Sequence, residues 1–246
     1  MILGVFFGLN SPPFRLEEVV VVGNGHLQQE EIRLIAGLSP GMNLWQIIPS
    51  LVERRLLANP WIEEARVTRK LPAAVRITIR ERRPVAVMPY YSSFLLLSGE
   101  GLVLEVVAGI DGLHVPVLSG VPAGQVKVGQ VVPWEEVAWV LRALGQLDRV
   151  WLSHFAEVGL NRPEGVVLYS RQAIPLILGA PGAELEEKIR TAVPILVDIR
   201  TRGMEVEYID LRYRDNPIIK PRGSPDMMQT VRTERHEIRG LPPENP

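Results

Sequence analysis

The chain has 246 residues, 46% of them hydrophobic and 22% charged, which is enough to bury one large core or two modest ones. A net charge of -1 argues against a nucleic-acid binder, which ordinarily carries a marked basic excess. With no cysteine there can be no thiol nucleophile, thiolate metal site, iron–sulfur cluster or disulfide.

Met1 to Leu9 is uncharged and mostly apolar, and Asn10-Ser11-Pro12-Pro13 follows it. A spanning helix needs about 20 apolar residues, so this piece is too short to cross a bilayer by itself. It also lacks the basic leader and small-residue cleavage site of a signal peptide. It is either the frayed start of a soluble domain or the last turns of a membrane helix, and Val5, Phe6 and Phe7 favour the remnant of an anchor over 1–13.

Leu16 to Val22 ends in four valines, a β-branched run suited to a buried strand, and Gly23-Asn24-Gly25 turns the chain. A short helix is predicted over 28–36, with Ile32, Ile35 and Ala36 on one side. A second amphipathic helix over 43–58 ends at Asn59-Pro60. Ala65 and Val67, then Val75, Ile77 and Ile79, alternate with polar residues as two strands around Leu71-Pro72. The order β-α-α-β-β places two helices on one face of a three-stranded sheet.

Beyond Pro84 the pattern becomes β-rich. A hairpin is predicted from Phe94–Leu97 and Leu102–Val107, and short strands at 115–118, 157–160, 166–169 and 174–178. Helices are expected over 134–147 and 183–201, and final strands over 204–213 and 217–220. This second unit reads as a mixed sheet with two covering helices, so the fold class is α+β. The division is expected at 14–88 and 89–221. Residues 222–246, rich in proline and balanced in charge, cannot offset the entropy of ordering and read as a disordered tail.

No constellation for catalysis emerges. Gly23-Asn24-Gly25 has Gln28 where a dinucleotide loop needs its third glycine, and no Gly-x-Ser-x-Gly or phosphate loop is present. The four histidines lack metal-ligand spacing, and Glu30-Glu31 and Glu186-Glu187 read as exposed helical charge. No cofactor, metal, nucleic acid or small-molecule substrate is expected. Between residues 14 and 84 there are eleven Arg and Lys against eight Glu, with Arg66, Arg69, Arg76, Arg80 and Arg82 gathered near the two strands. Such a face is either simply solvated or an attraction surface for anionic lipid or an acidic partner.

The run Asn59-Pro60-Trp61-Ile62-Glu63-Glu64 through Leu71-Pro72 to Arg82-Arg83-Pro84-Val85-Ala86 resembles the end of an FtsQ-type POTRA domain. Val20 to Gly25 and Glu30-Glu31-Ile32 resemble its opening strand and first helix, and Tyr208 to Tyr213 the penultimate strand of the β domain in the FtsQ/DivIB family. The resemblance implies a single-pass protein of the bacterial cytoplasmic membrane, with most of its chain outside, that recruits and bridges division proteins at the septum. It implies FtsB/DivIC-like and FtsL-like partners and no enzymatic activity. A POTRA-bearing accessory of secretion or outer-membrane translocation is the alternative. The last strand, lying before the tail, is expected to be an open edge to which a partner strand adds, with Arg212, Tyr213, Arg214, Asn216, Ile218, Ile219 and Lys220 as the binding residues.

Overall fold

The structure is a computed structural model that describes residues 14–121, 124–213 and 216–223. The expected anchor remnant at 1–13, Arg214 of the expected binding set and residues 224–246 of the expected tail lie outside the described residues. Among the described residues no helix is long and apolar enough to cross a membrane.

The smaller sheet is built from β1 (Glu18–Val22), β2 (Ile62–Lys70) and β3 (Ala74–Glu81) in the order β1-β3-β2, β1 parallel and β2 antiparallel to the centre. Helices α1 (Gln29–Ala36) and α2 (Pro49–Leu57) cover one face, where Ile32, Ala36, Val52 and Leu56 meet Val21, Val67, Val75 and Ile77. The single helix expected over 43–58 is instead a 3-10 turn at Leu44–Gln46 followed by α2. Pro49 explains the break: it holds Ile48 extended (φ −91°, ψ 107°) and then serves as the first helical residue, where a missing N–H costs nothing.

The larger sheet has nine strands. They are β4 (Pro84–Tyr90), β5 (Ser93–Ser98), β6 (Val103–Val107), β7 (Val117–Ser119), β8 (Phe155–Arg162), β9 (Gly165–Ser170), β10 (Pro175–Gly179), β11 (Val206–Asp210) and β12 (Ile218–Pro221). Their order is β12-β11-β10-β9-β8-β7-β4-β5-β6, mixed in direction, with β12 and β6 at the two ends. Helices α3 (Glu135–Gly145) and α5 (Leu185–Arg202) lie over one face, with a one-turn helix α4 (Arg149–Leu152) between them in sequence. The α+β class and the two covering helices stand as expected.

Strand β4 was not expected, and it moves the division between the units. A cut after residue 88 would run through β4, which pairs wholly within the larger sheet, with β5 on one side and β7 on the other. The two sheets therefore part at Arg82–Arg83. They are not insulated from each other: the apolar cluster of the smaller unit continues through Trp61 and Ile62 into Val87, Leu96 and Leu104 of the larger sheet. His26 stacks on Trp61 at 3.7 Å and lies 3.7 Å from Glu105 on β6, while Arg83 donates to the Gly145 carbonyl at 2.8 Å.

Candidate partner-binding site

The chain's last described strand, β12, forms one edge of the nine-stranded sheet, as a partner-binding edge requires. What that edge offers follows from which backbone groups point outward. Leu211 donates its N–H to Ile177 of β10 at 2.8 Å, so Tyr208 and Asp210 turn toward β12, where they face Lys220 and Ile218. At the far end Arg222 donates to the Glu205 carbonyl at 2.9 Å, which gives β12 the same parity. The residues turned to the open side are therefore 217, 219 and 221. Two of these, Pro217 and Pro221, have no N–H. The open side presents three carbonyls and a single donor, the N–H of Ile219.

Only Ile219 can thus form a pair of bonds with an incoming strand, which fixes the register of any addition to it. The spacing Pro-x-Ile-x-Pro was the signal, because residues four apart lie on the same side of a strand. At the β2 edge of the smaller sheet an outward donor is instead satisfied within the chain: Glu53 on α2 accepts the N–H of Val67 at 2.8 Å.

The approach to β12 is held by an ion pair within the chain. Asp210 is 4% exposed, and its carboxylate accepts from Arg212 at 2.6 Å (Nη2), 3.0 Å and 3.1 Å (Nε) and from the Arg212 backbone N–H at 3.0 Å. Burial pushes the Asp210 carboxyl up. The hydrogen bonds and charge of Arg212, with the charge of Lys188, outweigh burial and hold it below the ordinary carboxylate range. Arg212 is therefore a cornerstone of the β11–β12 connection, with its guanidinium committed inside the chain. Gly179 (φ +82°) makes room for it: a Cβ there would come within 3.1 Å of its Cγ. Because the folded carboxyl has the lower pKa, the unfolded chain takes up this proton first as pH falls. The stability from Asp210 is thus complete above about pH 4, the ordinary Asp value, and drains away as pH falls through the folded pKa. Asp210→Asn is expected to flatten the acid limb of a stability-against-pH curve below about pH 4, measured by urea unfolding. Identical acid limbs would show that the pair contributes nothing.

Tyr213, Asn216, Ile218 and Ile219 are exposed along the approach and the strand, as a docking surface needs. Lys220 is half-buried over the Tyr208 ring and 3.2 Å from Glu207.

The cationic strand face divides on inspection. Arg66 and Arg76 are exposed on the uncovered face of the smaller sheet. Arg80 lies there too, but it is neutralised by Glu63 at 2.7 Å and Glu64 at 2.5 Å. Arg69 and Arg82 are not on that face. Arg69 turns to the helix side and donates to the Ile47 carbonyl at 3.1 and 2.7 Å, because it is in register with Val75 and shares the face of Val67 two residues before it on β2. Arg82, beyond the last strand, donates to the carbonyls of Pro60 (2.9 Å) and Ile62 (2.7 Å). Period-two alternation separates Arg69 from its neighbours, whereas nothing in the sequence marks Arg82 as backbone-bound.

Residues 14–82 match the model of the FtsQ-type POTRA domain, and residues 86–212 match the C-terminal domain of the cell division protein FtsQ/DivIB. The chain belongs to the FtsQ/DivIB family of cell-division proteins. The cell division protein FtsQ of Syntrophotalea carbinolica is 28% identical over 214 residues, 85% of this chain and 75% of its own length. DivIB of Clostridium botulinum is 25% identical over 214 residues, 85% of this chain and 83% of its own. The solved major extracytoplasmic domain of DivIB from Geobacillus stearothermophilus gives a TM-score of 0.35 at 18% identity, over 51% of this chain and 98% of that domain. The POTRA assignment and the division role follow from the family, and the two model matches part at residues 82–86, where the sheets do.

Proposed function

We propose that this FtsQ/DivIB family member is a non-enzymatic divisome scaffold that captures a partner's extended segment as a tenth strand on β12. The observation that carries the reading is the open edge of β12, stripped of donors at Pro217 and Pro221 and left with one at Ile219. Such an edge resists indiscriminate pairing and still accepts a strand in one register. The incoming strand would accept from the Ile219 N–H and donate to the carbonyls of 217, 219 and 221. Ile219, in register with the buried Ile209, supplies apolar contact on the helix side of the sheet, and Ile218 on the other.

The partners proposed are FtsB/DivIC-like and FtsL-like division proteins, bridged at the septum from the outer side of the cytoplasmic membrane. In this reading the chain is held there by a single N-terminal helix. Amide exchange of the intact chain, with and without a partner's extracytoplasmic segment, tests the reading. The Ile219 amide, solvent-facing in the free chain, is expected to slow on binding, and the amides of β6 at the opposite edge are not. Unchanged exchange at Ile219 under saturating partner would move the contact elsewhere.

A further inference from the structure

A second surface lies at the end of the smaller sheet where the chain enters it. Met42, Trp45, Ile48 and Leu51 recur every third residue through the 3-10 turn into α2, and all four are exposed, Ile48 to 55% and Trp45 to 40%. Leu71, in the turn between β2 and β3, is 59% exposed. The backbone draws these residues to one end. Leu16 donates to the Met42 carbonyl at 2.7 Å, and the Phe14 ring lies 5.9 Å from that of Trp45. The Ala73 carbonyl accepts the N–H of Glu17 at 2.8 Å, which sets the Leu71 turn beside the chain's entry. Arg69 sits 5.8 Å over Trp45 and ties β2 to Ile47.

An apolar surface of this kind, with tryptophan at its centre and cations at its rim, matches the composition favoured at a membrane–water interface. The rim carries Arg15, Arg69 and Lys70 against Glu17 and Glu18, so charge adds only a weak attraction to anionic lipid and the apolar side chains supply the main drive. Chain length selects the occupant. The apolar stretch Met1–Leu9 ends five residues before Phe14, and five extended residues span at most about 17 Å. If that stretch enters hydrocarbon, Phe14 lies within that reach of the hydrocarbon boundary, which brings the headgroup layer, roughly 5–8 Å deep on each side, within range of this end of the sheet.

We propose that the entry end of the smaller sheet rests in the headgroup layer of the membrane, with Trp45, Ile48 and Leu71 inserted and Arg15 and Lys70 at the lipid phosphates. The inference rests on the proposed membrane location of the chain, and not on strand capture at β12. It would fix the tilt of the smaller sheet against the bilayer, where a bare tether would leave the unit to tumble.

The chain has no cysteine, so Leu71→Cys and, as a distant control, Tyr213→Cys each take one environment-sensitive fluorophore. With phosphatidylcholine–phosphatidylglycerol vesicles and the whole chain, the probe at 71 should shift to the blue and be quenched by spin-labelled lipid. The probe at 213 should do neither. In the unlabelled chain, Trp45→Ser combined with Ile48→Ser should weaken vesicle affinity at least about tenfold, the equivalent of about 1.4 kcal/mol, with an unchanged circular dichroism spectrum. A chain that does not float with vesicles overturns this surface and leaves strand capture at β12 untouched. A chain that floats while its probe at 71 stays in water overturns the surface alone, leaving Met1–Leu9 as the sole contact. A blue shift that grows with protein concentration in the absence of lipid would assign the surface to a second copy.

Discussion

Ile219→Pro is expected to weaken capture of a partner strand by roughly 30- to 1000-fold while leaving the fold nearly intact. The substitution removes the last N–H from the open side of β12 and puts a ring where the incoming carbonyl must sit. The partner's carbonyl is then buried without a donor, at about 1–3 kcal/mol, and the steric clash raises the total to roughly 2–4 kcal/mol. Inside the chain the loss is small, because the Ile219 N–H is not among the bonds that join β12 to β11. Proline is tolerated on an edge strand where its nitrogen faces solvent, so the melting midpoint should move little. Pro217→Ala and Pro221→Ala are the informative companions. Each restores an outward donor, so partner affinity should hold or rise while discrimination against unrelated extended peptides falls. Full-strength binding by a folded Ile219→Pro chain would exclude strand addition at this edge.

The architecture was legible where one face of an element is buried and the other is wet. The alternation in β2 and β3, the stripes on α1, α3 and α5, and the hairpin of β5 and β6 all have that property, so periodicity identified them. Strand β4 escaped for the opposite reason. Val85, Ala86 and Met88 pack into the core beneath α3 and α5, while Val87 packs into the cluster of the smaller unit. With both faces buried, the run has no period to read, and Pro84 and Pro89 resemble loop punctuation. At the candidate edge, strand order and exposure were legible in outline, as the last strand of a chain reading as β-rich. The pairing of Asp210 with Arg212 was not: two residues apart, they meet only because the chain leaves β11 in a turn closed by the Asp210 carboxylate itself. A sequence shows a basic residue beside a strand end, and its commitment to a buried neighbour appears only in three dimensions.

Trp61→Ala is expected to lower stability by about 3–5 kcal/mol, the range for deleting a buried tryptophan, and to change the form of unfolding as well. Trp61 is 8% exposed and sits where the two units share one cluster, close to Ile62 in sequence and under the stacked His26 ring. Its carbonyl accepts from Arg82 at 2.7 Å, at the point where the chain passes from one sheet to the other. Val87, Leu96 and Leu104 are buried at that junction, and each fully buried aliphatic side chain contributes about 1.5–3 kcal/mol. A junction of that size makes each unit's folding depend on the other's, so the intact chain should unfold in urea as one transition. Replacing the indole with a methyl group opens a cavity at the shared position, and the smaller unit should then melt first, giving two transitions by circular dichroism. Leu141→Ala provides the contrast: it also removes a fully buried side chain, at about 2–5 kcal/mol, but from the core under α3 alone. That variant should lose stability without gaining a second transition. If Trp61→Ala keeps a single transition and shifts it by less than about 1 kcal/mol, the indole does not carry the coupling between the units.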